Sequence, residues 1–165
     1  MQKDTGSFTR EDGFTISTEK AFLDTDIIYS FLSKESYWAE GISRELVEKS
    51  IENSTLCYGI YNGNPERDSH AKLVGFARVV SDLVRYAWLG DVFILPEYRG
   101  IGLSKWLIEI ITHNPYLAGT SFNLGTKDAH GLYKKYGFKE LDKPEDRLCR
   151  PVNWEKINHA YGLKN

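Results

Sequence analysis

The stretch Val92-Phe93-Ile94-Leu95-Pro96-Glu97-Tyr98-Arg99-Gly100-Ile101-Gly102-Leu103-Ser104 decides how the rest of this 165-residue chain is read. An apolar run comes first, then two glycines one residue apart. A helical pattern follows, Trp106-Leu107-Ile108 to Ile110-Ile111. The order is strand, glycine turn, helix. A helix that starts on glycines leaves its first backbone N–H groups unpaired and presents the positive end of its dipole. Phosphate groups bind at such ends, so the segment reads as a pyrophosphate cradle. It is not a Walker loop, which needs four residues between its glycines and then Gly-Lys-Ser/Thr. It is not a dinucleotide fingerprint either, because Lys105 stands where the third glycine belongs.

Working outward, Phe14 to Ser17 alternates as a strand. Asp24 or Thr25 can cap a helix over Ile27-Ile28 and Phe31-Leu32, and Ser43 can cap a second one through Leu46-Val47 to Ile51. Leu56 to Tyr61, Lys72 to Val80 and Ala87 to Leu95 read as three more strands, the first two joined by the turn-rich Asn62 to Ser69. Leu103 to Thr112 is the helix after the glycine turn, stopped by Asn114-Pro115. Ser121 to Gly125 is a fifth strand, and Ala129 to Tyr136 a short helix closed by Gly137. Asp128 is its expected cap. Lys139-Glu140-Leu141 and Arg147 to Arg150 would form a last hairpin. The fold class is α+β with a mixed sheet. One domain over 1–165 is expected, with a loose segment at 1–12 and a tail at 152–165.

The glycine segment Glu97-Tyr98-Arg99-Gly100-Ile101-Gly102 resembles the Arg/Gln-x-x-Gly-x-Gly/Ala signature of the GNAT N-acetyltransferase superfamily. A second block is similar to that family's Asn-x-x-Ala-x-x-Leu-Tyr-x-x-x-Gly-Phe: Thr126-Lys127-Asp128-Ala129-His130-Gly131-Leu132-Tyr133, continuing to Gly137-Phe138. Thr126 replaces the usual Asn. Together the blocks span about a third of the chain. The resemblance implies a mostly antiparallel sheet, splayed between its fourth and fifth strands and flanked by helices. It also implies acetyl-CoA as co-substrate and a small-molecule primary amine as acceptor. On that likeness Phe93, Ile94 and Leu95 would lie along the pantetheine arm. Arg99, Gly100, Ile101, Gly102, Leu103 and Ser104 would hold the pyrophosphate, and Thr126 and Tyr136 would add cofactor contacts. Tyr133 matches the family tyrosine that returns a proton to the departing thiolate, and a phenol of pKa about 10 suits that task.

Other roles are open in the sequence. Asp91, in an apolar strand after Gly90, is either a proton acceptor or the cap of a bulge. Asp82 is a second acidic candidate, near the acceptor or in a turn. Trp38, with Tyr37, Tyr86 and Trp88, would form an aromatic acceptor wall or belong to the core. Glu40 and Glu45 could meet a cationic acceptor, Arg78 and Arg85 an acidic one. A net charge of −2 gives no footprint for nucleic acid. No apolar run is long enough for a membrane span, and the start lacks a signal-peptide core, so a cytoplasmic location is expected. The scattered histidines predict no metal site, and Cys57 and Cys149 read as reduced, buried residues. A homodimer is allowed. The competing function is a non-catalytic acyl-CoA sensor or an interaction module on the same fold.

Overall fold

A computed structural model describes residues 6–164. Six strands form one sheet in chain order: β1 (Ser7–Thr9), β2 (Phe14–Ser17), β3 (Leu56–Asn62), β4 (Lys72–Ser81), β5 (Tyr86–Ile94) and β6 (Ser121–Asn123). All neighbours are antiparallel except β5 and β6, which run parallel. A parallel pair needs a crossover, and α3 (Leu103–Thr112) supplies it. Two helices, α1 (Thr25–Lys34) and α2 (Arg44–Glu52), separate β2 from β3. Both begin on side-chain caps. The Ile27 N–H donates to Asp24 Oδ1 at 3.1 Å, and the Leu46 N–H donates to Ser43 Oγ at 3.3 Å.

Strand alternation divides the core. Tyr58, Ile60, Val74 and Ala77 pack with Leu103, Leu107, Ile108 and Ile111 of α3. Their neighbours Cys57, Tyr61, Leu73 and Phe76 pack with Ile28, Phe31 and Leu32 of α1 and Val47 and Ile51 of α2. Each face of the sheet therefore has its own helical cover, as a period-2 pattern with apolar residues on both sides demands. Phe93 belongs to the α1–α2 side and stacks on Phe31 with ring centroids 4.0 Å apart. Ile94 belongs to the α3 side.

The splay is visible in the pairing. β6 meets β5 only at Tyr86, Ala87 and Trp88. Beyond Trp88, β5 is bonded to β4 alone.

The two ends of the chain differ from expectation. Part of the segment expected to be loose, Ser7–Thr9, is an edge strand paired with Thr15 to Ser17; residues 1–5 lie outside the described region. The last hairpin does not form. Residues 139–150 hold only a 3-10 turn at Pro144–Asp146 and are exposed throughout. The segment is mostly charged and has no apolar face to bury, Leu148 is fully exposed, and Pro144 removes a ladder donor. The tail contains a further helix, α5 (Trp154–Ala160), capped by Asn153, which accepts from the Lys156 N–H at 2.9 Å. Cys57 is buried, and burial raises its thiol pKa; Cys149 is exposed, contrary to expectation. No helix among the described residues is long and apolar enough to cross a membrane.

Candidate functional site

The glycine turn is built by backbone conformation. After Ile94 the chain makes a 3-10 turn over Pro96–Tyr98. The Arg99 Nε–H then turns back and donates to the Ile94 carbonyl at 2.9 Å. Arg99 thus closes the loop onto the strand it left. Gly100 and Gly102 follow with φ of 81° and 82°. That left-handed region costs a residue with a Cβ about 1–2 kcal/mol, and glycine far less. Gly102 is the N-cap of α3 and has no side chain to satisfy the helix N–H groups. A Cβ at Gly100 would meet nothing within 4 Å. The helix start is therefore open in front, with half-buried Ser104 in its first turn. Leu103 and the Ile101 backbone complete the turn, the Leu103 side chain being buried beneath it.

Arg10 was not singled out from the sequence. It reaches the turn from the β1–β2 hairpin and donates from Nη2 to the Ile101 carbonyl at 3.2 Å. Its guanidinium stands 5.3 Å from the Trp106 ring centre and is held by Asp12 through two hydrogen bonds. A contact between residues 91 positions apart leaves no local signal.

The unpaired end of β5 carries a bulge. Phe76 pairs with Phe93 and Arg78 with Gly90, so Asp91 and Val92 together stand opposite Ala77. Asp91 takes φ of 54°, a conformation that aspartate tolerates better than most residues. Its carboxylate accepts from Trp38 Nε1 at 2.9 Å through Oδ1, and from Arg78 Nε through Oδ2. Arg78 also donates from Nη1 to Ser54 Oγ at 3.4 Å. The Asp91 side chain is 9% exposed. Both of its oxygens are engaged, and Trp38 is tied to the bulge as part of a wall. The side chains of Phe93 and Ile94 are buried and that of Leu95 half-buried, so this end of β5 offers backbone to a ligand.

Across the opening lies α4 (His130–Lys134), shorter than expected at both ends. Its entry is shaped by Thr126, whose Oγ1 accepts from the Ala129 N–H at 3.1 Å. Thr126, not Asp128, holds this turn. Tyr133 is buried, 8% exposed, and lies edge-on to Phe138 at 5.8 Å. Burial, with smaller contributions from Tyr37 and Asp128, pushes its phenol up to about 12. The hydroxyl is fully protonated at neutral pH, as a proton donor must be. Gly137, with φ of 87°, ends the turn after α4, and Tyr136 is half-buried beside it. Tyr37 bridges the two sides: its hydroxyl accepts from the Lys127 N–H at 3.1 Å, and Lys127 Nζ sits 4.6 Å from its ring centre. Trp88, Thr126, Tyr133 and Tyr136 line an open cleft of about 1450 Å³ between β6, α4 and the 139–150 segment.

Asp82 lies elsewhere. Its Oδ1 accepts from the N–H groups of Val84, Arg85 and Tyr86 at 3.0, 2.8 and 3.0 Å. Those bonds pull its carboxyl down to about 2. Five strand residues, about 16 Å, separate Tyr86 from Asp91. Asp82 is the linchpin of the β4–β5 turn. Glu40 and Glu45 are exposed, and neither joins the contacts around Asp91 described above.

A family model for the acetyltransferase (GNAT) domain matches residues 66–140. A crystal structure from Xanthomonas campestris pv. campestris, described as an acetyltransferase of the GNAT family, is 39% identical. It covers 88% of this chain and 96% of its own, with a TM-score of 0.77. A Gibberella zeae protein described as an acetyltransferase is 29% identical over 150 residues, 81% of this chain and 83% of its own. An uncharacterized N-acetyltransferase of Pyropia yezoensis is 33% identical over 94 residues, 56% of this chain and about half, 52%, of its own length.

Proposed function

The chain belongs to the GNAT acetyltransferase family, and from that membership we propose that it moves an acetyl group from acetyl-CoA to the primary amine of a small molecule. The observation that carries this is the junction of two openings. The unpaired end of β5 runs directly into a helix start kept open by two left-handed glycines. A pyrophosphate fits that start because the space a Cβ would take at Gly100 is empty. The backbone of Arg99 to Ser104 would hold it, with Arg10 adding positive charge at the turn. The backbone of Phe93 to Leu95 would hold the pantetheine arm, and Thr126 and Tyr136 would border it.

In the transfer the amine nitrogen bonds to the thioester carbonyl carbon and the carbon–sulfur bond breaks. The sulfur takes the Tyr133 proton, and the proton released by the amine goes to solvent, from which Tyr133 is restored. A phenol raised to about 12 by burial keeps its proton at neutral pH, so Tyr133 still carries it when the carbon–sulfur bond breaks. Asp91, engaged on both oxygens, acts in this scheme as an anchor for Trp38 and Arg78. The amine then arrives neutral and needs no dedicated base.

Thiol release from acetyl-CoA across a panel of amines tests the proposal, with Tyr133→Phe as the control. The variant is expected to lose about ten- to a thousandfold in kcat while acetyl-CoA affinity holds within about twofold. Full turnover in the variant would remove Tyr133 from the mechanism. CoA binding without amine-stimulated release in the wild type would favour a sensor.

A further inference from the structure

β5 and β6 part just after Trp88, and the residues around the gap form a closed ring. Trp38 bonds Asp91, and Asp91 bonds Arg78. Arg78 Nη2 lies 3.9 Å from the point where a Cβ on Gly90 would stand. Trp88 Nε1 lies 3.7 Å from that same point. The far edge of the Trp88 indole is 4.0 Å from the equivalent point on Gly125. Two residues on, the Lys127 N–H bonds the Tyr37 hydroxyl, and Tyr37 meets Trp38 edge-on at 4.9 Å.

Gly90 is the unexplained member. Its φ lies outside the left-handed region, and nothing comes closer than 3.7 Å to its added Cβ. Neither backbone conformation nor crowding calls for glycine here, and glycine inside a strand weakens it. What glycine provides is a notch. Two nitrogens that carry N–H groups, Arg78 Nη2 and Trp88 Nε1, lie within 4 Å of it, and no hydrogen bond from either is found among the described residues. An oxygen in the notch would serve both.

Building on the acetyl-transfer assignment, we propose that the Gly90 notch receives a hydrogen-bond-accepting oxygen of the acceptor. The substrate class is then a primary amine that also carries a carbonyl or carboxylate, as an amino acid or its amide does. The exposed faces of Trp38 and Trp88, 37% and 52% accessible, flank its carbon skeleton. The ring contains no unpaired carboxylate to hold a second ammonium, since Asp91 is engaged by Arg78 and Asp82 is bound by three N–H groups of the β4–β5 turn. Polyamines are therefore poor acceptors. Because Asp91 already balances the charge on Arg78, a neutral carbonyl serves as well as a carboxylate.

The test uses three matched amines, phenylalanine, its amide and phenethylamine, with thiol release as readout. The wild type is expected to favour the two oxygen-bearing amines over phenethylamine by at least about tenfold in kcat/KM, the worth of one good hydrogen bond. Gly90→Ala fills the notch without a steric clash, and that preference should collapse toward one. Trp88→Phe keeps an aromatic ring and removes Nε1, and should shrink the preference about threefold. Thermal melting of both variants confirms that they fold. An active wild type with no preference, or a Gly90→Ala variant that keeps it, overturns the notch alone. A wild type with no thiol release on any amine overturns the acetyl-transfer assignment and the notch with it.

Discussion

The two ends of β5 share one strand and do opposite things. At the Tyr86 end the strand is bonded on both sides, to β4 and to β6, and its entry turn is pinned by three hydrogen bonds to Asp82. At the Ile94 end it is bonded on one side only, is bent by a bulge at Asp91 and runs into two left-handed glycines. An edge with free backbone groups is a hazard in most proteins. Here β6 stops after three residues, which leaves β5 from Leu89 to Ile94 without a second partner. The closed end supplies stability and the open end supplies recognition. A substitution at one end should therefore move melting temperature, and one at the other should move binding or turnover.

Gly102→Val should produce the largest separation of that kind. A branched side chain at φ of 82° is strained, and it would stand in the mouth of the helix start. In the free protein there is room, since the nearest atom to an added Cβ is Arg10 Nη1 at 3.8 Å. Coenzyme A affinity, measured by calorimetry, should fall at least about a hundredfold, while strain of about 2 kcal/mol lowers Tm by only several degrees. A variant that melts normally and binds CoA normally would mean that the open end is not the phosphate site.

Asp91→Asn sharpens the boundary between recognition and chemistry. Asparagine also tolerates the left-handed conformation and can keep an oxygen facing Trp38 Nε1. If Asp91 is the anchor proposed above, kcat should fall by only about threefold. A proton-accepting carboxylate would instead lose about 10²- to 10⁴-fold. The steady-state kcat of this one variant separates the two roles.

The sequence made the open end partly legible, because its determinants are local. Two glycines one residue apart, followed by a 3.6-residue apolar period, specify a turn and a helix start without help from elsewhere. The tyrosine block was readable for the same reason. The ring around Gly90 was not. Trp38 and Asp91 are 53 positions apart, and Tyr37 and Lys127 are 90 apart; which aromatic residue meets which polar group is decided only when the sheet and helices pack. Asp82 shows the converse. Its carboxylate near apolar strands could have belonged to a site, and only its bonds to three consecutive N–H groups assign it to the turn. The 139–150 segment is mostly charged, and a strand holds only when one set of its side chains has a surface to cover.

Asp82→Ala gives the smallest expected effect, confined to the closed end and to one range of pH. In the folded protein its carboxyl is held down to about 2 by the N–H groups of Tyr86, Val84 and Arg85, against an ordinary value near 3.8. The unfolded chain therefore takes up a proton at a higher pH than the native one does. The carboxylate's contribution to stability is complete above about pH 4 and is lost as pH falls from there toward 2. The group is exposed, so solvent screening keeps that contribution small. Melting curves of wild type and Asp82→Ala should differ by a constant amount from pH 8 down to about 5 and converge between about 4 and 2. Acceptor kcat/KM at pH 7 should be the same in both, because the Asp82 carboxylate is spent on N–H groups of its own turn. Loss of acceptor affinity in this variant would join the two ends of β5 into one site, and the division of labour along the strand would fail.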